Sequence, residues 1–288
     1  MDAADSAPGM SGLDAYIPKI TKKQVMTMIR ESFIFLDKIG PKLEQQFWSA
    51  GINNWEQFSG ARDVKGISPM RKAYYDRQIS QAESALADYD AEFFTNILSP
   101  CNAWRLYDFF KDDAVFLDIE TSGYYGDITV IGLYDGRETM TMVKGFNLDR
   151  EILRKTLERY NLVITFNGSS FDLPVIERYF QGVLPSVPHI DLRHVCAKIG
   201  LVGGLKAIEQ KMGIIRQESV QGISGEDAVY LWQKWKTTGN RECLQTLVEY
   251  NEEDIINLKP IAEKAVKELW SQIRFGNLVE VPQVAIIN

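Results

Sequence analysis

Asp118 and Glu120 stand two apart in VFLDIETSG, residues 115–123, flanked by Val115, Phe116, Leu117 and Ile119. The run is apolar and partly β-branched, which predicts a buried strand. Side chains at i and i+2 of a strand point to one face. Two carboxylates side by side in an apolar strand are costly unless a cation offsets them. Mg²⁺ and Mn²⁺ take oxygen ligands, so a divalent ion is the expected partner. Further carboxylates follow in suitable settings. Asp172 ends Phe166-Asn167-Gly168-Ser169-Ser170-Phe171-Asp172, just past a predicted strand and early in a predicted helix. Asp254 ends Tyr250-Asn251-Glu252-Glu253-Asp254, where Tyr250 and Asp254, four apart, share a helical face. Each piece alone has an ordinary explanation: a surface strand, a favourable helix dipole, a solvated acidic face. Their conjunction, in order and each on its own element, carries the weight.

The elements that would position these groups are readable from residue 112 onward. AVFLDIE, ITVIGLYD and ETMTMVKGF read as three strands, the last two joined as a hairpin at Asp135-Gly136. DREILRKTLERY has helical spacing, NLVITFNG reads as a strand, SSFDLPVIERYF as a helix and PHIDL as a short strand. From Leu192 the chain is predicted helical. A long stretch over 242–269 contains Pro260, which predicts a kink or a division. This order predicts an α/β mixed sheet with flanking helices.

The set D-x-E, F-D and Y-x-x-x-D resembles the DEDD superfamily of 3′–5′ exonucleases, in the subgroup with Tyr in its last motif. DIET, TFNGSSFDLPVI, HIDL and YNEEDI resemble more narrowly the YprB-type ribonuclease H-like family. The resemblance spans roughly residues 112–265 and implies a ribonuclease H-like fold. It also implies two divalent metal ions, Mg²⁺ or Mn²⁺, held by Asp118, Glu120, Asp172 and Asp254, with Asp118 bridging them. Tyr250 would orient the attacking water; an ordinary phenol, with a pKa of ~10, is a poor base at neutral pH. Asp191, in HIDL, either caps the next helix or stands behind the metal site. Thr121 and Ser122 would lie near the terminal nucleotide. Asn167 and Phe171 would reach the next base or sugar, with core packing an equal expectation for Phe171.

Residues 1–17 are expected to be a disordered tail and 18–98 a mostly helical region. Ser99-Pro100 marks a boundary, 112–275 is the exonuclease-like domain and 276–288 a C-terminal tail. Two segments in the helical region, around Lys38-Ile39-Gly40-Pro41 and Lys65-Gly66-Ile67-Ser68, resemble degenerate helix-hairpin-helix loops. Such loops present backbone N–H groups to phosphates. Lys38 and Ser68 replace glycines of the usual pattern, while Lys38, Lys42, Lys65, Arg71 and Lys72 supply positive charge. The alternative is a small helical domain that packs on the rest, with Trp48 and Trp55 in its core.

Composition limits the options. The net charge of −7 over 288 residues lacks the basic footprint of most nucleic-acid binders. A carboxylate-rich metal site contributes part of that charge, and residues 62–77 are locally basic. Three widely spaced cysteines form no zinc motif and are expected as free thiols. No apolar run reaches the ~18 residues that a bilayer span needs. The N-terminus lacks the features of a secretory signal, so the expectation is a cytoplasmic protein with no membrane contact. The leading reading is a metal-dependent 3′–5′ exonuclease of single-stranded DNA or RNA. The others are an endonuclease of the same fold, an inactive nucleic-acid-binding module, and a factor dependent on a helicase or polymerase partner.

Overall fold

The computed structural model of the protein describes residues 27–123 and 126–276. The expected N-terminal tail and nearly all of the C-terminal one lie outside these residues. The helical first part contains α1 (Pro41–Ser49), α2 (Trp55–Gly60), α3 (Pro69–Ala87) and α4 (Ala91–Ile97). Local chemistry starts each helix. Pro41 and Pro69 occupy first turns, where the missing N–H costs nothing. The side chains of Asn54, Ser68 and Asp90 accept hydrogen bonds from the free N–H groups of Gln57, Arg71 and Phe93. At Ser99-Pro100 the chain leaves this pattern. It passes through a 3₁₀ segment, Pro100–Leu106, and the single turn α5 (Tyr107–Phe110) into the sheet.

The sheet has the order β3-β2-β1-β4-β5. Its strands are β1 (Ala114–Thr121), β2 (Ile128–Tyr134), β3 (Thr139–Val143), β4 (Leu162–Thr165) and β5 (His189–Asp191). β1, β2 and β3 are antiparallel neighbours, and β4 and β5 run parallel to β1. The predicted hairpin turn is present, with Gly136 at φ +92°, a conformation side chains resist. Helices cover both faces, as expected of a ribonuclease H-like fold.

β1 is central, and alternation along it decides where the carboxylates go. Val115, Leu117 and Ile119 face α6 (Arg150–Leu157) and α7 (Asp172–Tyr179), packing with Leu153, Leu157 and Ile176. Ala114 and Phe116 face the other way, into a cluster with Leu258, Ile261 and Ala262. Asp118 and Glu120 continue that second face. After β5 come α8 (Leu192–Lys198), α9 (Leu205–Met212), α10 (Gly225–Thr238) and α11 (Arg241–Phe275). Helix α11 lies across the second face and brings Tyr250 and Asp254 onto it.

Of the kink or division expected at Pro260, the division does not occur: α11 is one helix of 35 residues. Proline removes the bond to the carbonyl four residues back. That residue, Ile256, and Pro260 itself are both exposed, so water can satisfy the freed carbonyl. Leu258, Ile261 and Ala262, all buried, hold the helix on either side of the gap.

The N-terminal helices share a core with the sheet. One apolar cluster runs from Ile29 and Phe33 through Trp104 to Leu269. Trp48 and Trp55 are buried in it, and Trp48 meets Trp270 of α11 edge-on at 5.8 Å. A buried ion pair joins the two parts. Glu44 of α1 accepts two hydrogen bonds from Arg105 at 2.8 and 2.9 Å, and also the N–H groups of Phe33 and Ile34. Among the described residues no helix is long and apolar enough to cross a membrane.

Candidate metal centre

Asp118, Glu120 and Asp254 each bring a carboxylate oxygen within 4.8 Å of the others. β1 supplies two of them from one face, and α11 lays the third over that face. The approach of α11 depends on Gly132, which pairs with Asp118 in β2. A Cβ there would lie 2.1 Å from the Asn251 Oδ1 atom. Asn251 uses this space to donate from its amide to the Asp118 carboxylate at 2.9 Å. Its Oδ1 is left buried without a donor. An ordered water or ion ligand is the usual remedy for such an atom.

Asp172 opens α7 on the other side of β1. Its carboxylate accepts the Ile119 backbone N–H at 3.0 Å, so it is locked against the strand that carries Asp118. It stands outside the three-carboxylate group but close enough to raise the Asp118 pKa.

Burial is the first cause of the charge state here. It pushes Asp118 and Glu120 well above the ordinary carboxylate range, and the neighbouring carboxylates push them further. Burial lifts Asp172 to about 7. Asp254 is raised too, with Arg216 opposing. Tyr250 is pushed up by burial and by Asp254, so its phenol keeps its proton at neutral pH. Three carboxylates at one point, with a fourth close by, are what a divalent cation relieves, and the oxygen donor set suits Mg²⁺ or Mn²⁺.

Some cation is already built in. Arg216 donates twice to Glu209, at 2.7 Å each, and to the Asp254 carboxylate. Glu209 is buried on α9 and is also held by Asn257 of α11 at 3.0 Å. The Lys206 ammonium lies 4.6 Å from the centre of the Tyr250 ring and donates to the Ile223 carbonyl. The sequence reading lacks Arg216, Glu209, Lys206, Asn251 and Asn257. Asn251 left a signal, a polar residue mid-helix one turn from Asp254. Arg216 left none, because it sits in a loop and its partner Asp254 is 38 residues away.

The other predicted residues fall into distinct places. Asp191 accepts the Arg193 N–H at the start of α8 and also the N–H groups of Asn167 and Ser169. It therefore both caps a helix and pins the loop that leads to Asp172. Asn167 has φ +68° and accepts from Arg193. Phe171 is half-buried against the first-face cluster. Thr121 follows an irregularity in β1, and its hydroxyl donates to the Gly123 carbonyl at 2.9 Å. Ser122 exchanges hydrogen bonds with the Asp127 backbone.

In the helical part, Lys38 adopts φ +61° and Gly66 φ +83°, each in its hairpin-like loop. Gly40 and Ser68 then start α1 and α3. Lys42, Lys65 and Arg71 are exposed. Lys72 differs from expectation: it is buried, pairs with Asp76 at 2.7 Å and lies 5.0 Å from the Phe58 ring centre. Its charge is spent inside the fold and is not offered to a phosphate.

A family model of the RNase H superfamily matches residues 115–266, more than half of the chain. No curated protein matches significantly. Among solved structures, the family B DNA polymerase from the hyperthermophilic archaeon Pyrobaculum calidifontis is similar over 57% of this chain and 26% of its own, at 14% identity and a TM-score of 0.45. The chain thus spans about a quarter of that polymerase's length.

Proposed function

The chain belongs to the RNase H superfamily, and on that premise we propose that it is a metal-dependent 3′–5′ exonuclease of single-stranded DNA or RNA. The observation that carries the reading is the buried meeting of Asp118, Glu120 and Asp254 within 4.8 Å, with Tyr250 one helical turn from Asp254. One divalent ion held by these three carboxylates, and a second by Asp118 and Asp172, would acidify the attacking water and offset charge on the scissile phosphate.

The chain's own groups do the positioning. Tyr250 stays a phenol, so it orients the water by hydrogen bonding and does not act as the base. Asn251 fixes the Asp118 carboxylate through its amide. Arg216, clamped by Glu209, keeps Asp254 turned inward and carries permanent positive charge beside the phosphate site. Thr121 and Ser122 border the terminal nucleotide, and Asn167 and Phe171 the next one. Exposed Lys38, Lys42, Lys65 and Arg71 give a second contact with the phosphate backbone. A helicase or polymerase partner would supply single strands.

The test uses a 5′-labelled single-stranded oligonucleotide, as DNA and as RNA, with Mn²⁺, Mg²⁺ or EDTA, beside a circular single strand. The expected result is a metal-dependent ladder that shortens from the 3′ end and leaves the circle intact. Cleavage of the circle would replace the exonuclease by an endonuclease of the same fold. Intact substrate in every lane would overturn the enzymatic reading.

A further inference from the structure

A cavity of about 420 Å³ lies between the 3₁₀ segment, β5 and α8. That volume falls within the ~300–1,000 Å³ of small-ligand sites. Pro100, Trp104, Ile190 and Val195 give it apolar walls, and Ser169 and His189 add polar atoms. It adjoins the metal centre through one loop. Ser169 is pinned by Asp191, which also lines the cavity, and the chain reaches Asp172 three residues later.

The lining chemistry narrows the ligand. Trp104 is 2% exposed, yet its indole N–H has no acceptor. An unpaired buried donor is costly and calls for a ligand acceptor. His189 shares its Nε2 with the Thr165 hydroxyl at 2.9 Å, and burial lowers its pKa to about 4, so it is neutral. Asp191, whose carboxylate also lines the cavity, repels a phosphate, and the Lys198 ammonium in the lining is already held by the Cys101 carbonyl at 2.6 Å. Arg193, exposed beside the cavity on α8, offers positive charge to a backbone passing outside. A flat, neutral ring system with carbonyl and ring-nitrogen acceptors fits the inside, and a phosphodiester chain fits the outside.

We propose that this cavity receives one unpaired base of the substrate strand, on the 5′ side of the scissile bond. The proposal rests on the nuclease reading and adds a base-binding site that the metal centre does not require. It explains why the segment that links the two parts of the chain contributes Trp104 to a wall shared with the catalytic loop.

Cys101 lines the same cavity and is exposed, whereas Cys196 and Cys243 are buried, so alkylation reports on this place. The experiment measures the alkylation rate of Cys101 in the Asp118→Asn variant with Mg²⁺. Single-stranded oligonucleotides are added, either intact or abasic at one position in turn from the 3′ end. Fluorescence anisotropy follows binding in parallel. The expected result is protection by the intact strand and its loss when one particular position is abasic, with binding there about tenfold weaker, the order a stacked base contributes. Trp104→Phe keeps an aromatic wall, though a smaller one, and removes the donor; it should weaken the intact strand and leave that abasic strand unchanged. Binding without protection, or equal protection by every abasic strand, would overturn the proposal and leave the nuclease reading standing. No binding by the variant, together with no cleavage by the wild-type chain, would overturn both.

Discussion

At the residue scale the account turns on which groups hold charge. Asp118, Glu120 and Asp254 were legible because each sits in a short pattern on a predicted element. Their supporting groups were not. Arg216, held by Glu209, meets Asp254 only through tertiary packing, and no spacing rule connects a loop arginine to a helix 38 residues on. Two substitutions test their roles. Arg216→Gln removes the charge that opposes Asp254's raised pKa and frees Glu209, and it should cost ~10–100-fold in activity, as losses of supporting groups around metal ligands do. Measuring kcat and KM separately checks this, and an unchanged kcat would refute it. Tyr250→Phe keeps the packing against Val130 and Leu247 but removes the hydroxyl. The expected loss is in kcat, about 10²-fold, the order of a positioned proton-handling group. A kcat equal to wild type would remove Tyr250 from the reaction.

At the element scale, β1 and α11 must lie close for the carboxylates to meet. Gly132 sets that approach. Gly132→Ala places a methyl group where Asn251 Oδ1 now lies. Overpacking of this kind costs about 1–3 kcal/mol. The expected outcome is a lower thermal midpoint and weaker Mn²⁺ binding in the same protein. Wild-type Mn²⁺ affinity would show that α11 tolerates the shift. The sheet was legible down to its hairpin because alternation, turn glycines and crossover helices agree locally. The continuity of α11 was not. A proline inside a helical pattern is a breaker by local rules, and here buried Leu258 and Ile261 on either side override it. Lys72 failed the same way. Its spacing suggested a phosphate contact, but a partner four residues on, Asp76, holds it inside.

For the whole molecule, two couplings matter. The first joins the helical part, through Glu44, to Arg105 in the 3₁₀ segment that leads into the sheet. Removing one partner of such a buried pair strands the other, at a cost of about 3–5 kcal/mol. Glu44→Ala should therefore destabilise the whole chain in urea unfolding, with the helical part and the sheet melting together. Two separate transitions would show that the shared core is dispensable. The second coupling is to pH. Asp172 has a folded pKa of about 7 against an ordinary 3.8, the reverse of a stabilised carboxylate. Between those values the folded chain binds more protons than the unfolded chain, so stability falls as pH rises through the window. Without metal, the chain should be more stable near pH 5 than near pH 8, as far as this site contributes. Added Mg²⁺ should stabilise it more at the higher pH, where the carboxylates are free to bind. A metal effect independent of pH would argue against these ligands. The central claim is that the carboxylate cluster is the metal site of a nuclease. Its most direct measurement is a calorimetric titration of Mn²⁺ into wild-type and Asp118→Asn chains, with hydrolysis of a single-stranded oligonucleotide followed over the same Mn²⁺ range. The account predicts that wild-type binding and hydrolysis rise together and that both are lost in the variant. Hydrolysis that persists in EDTA, or a variant that binds and cleaves like wild type, would contradict it.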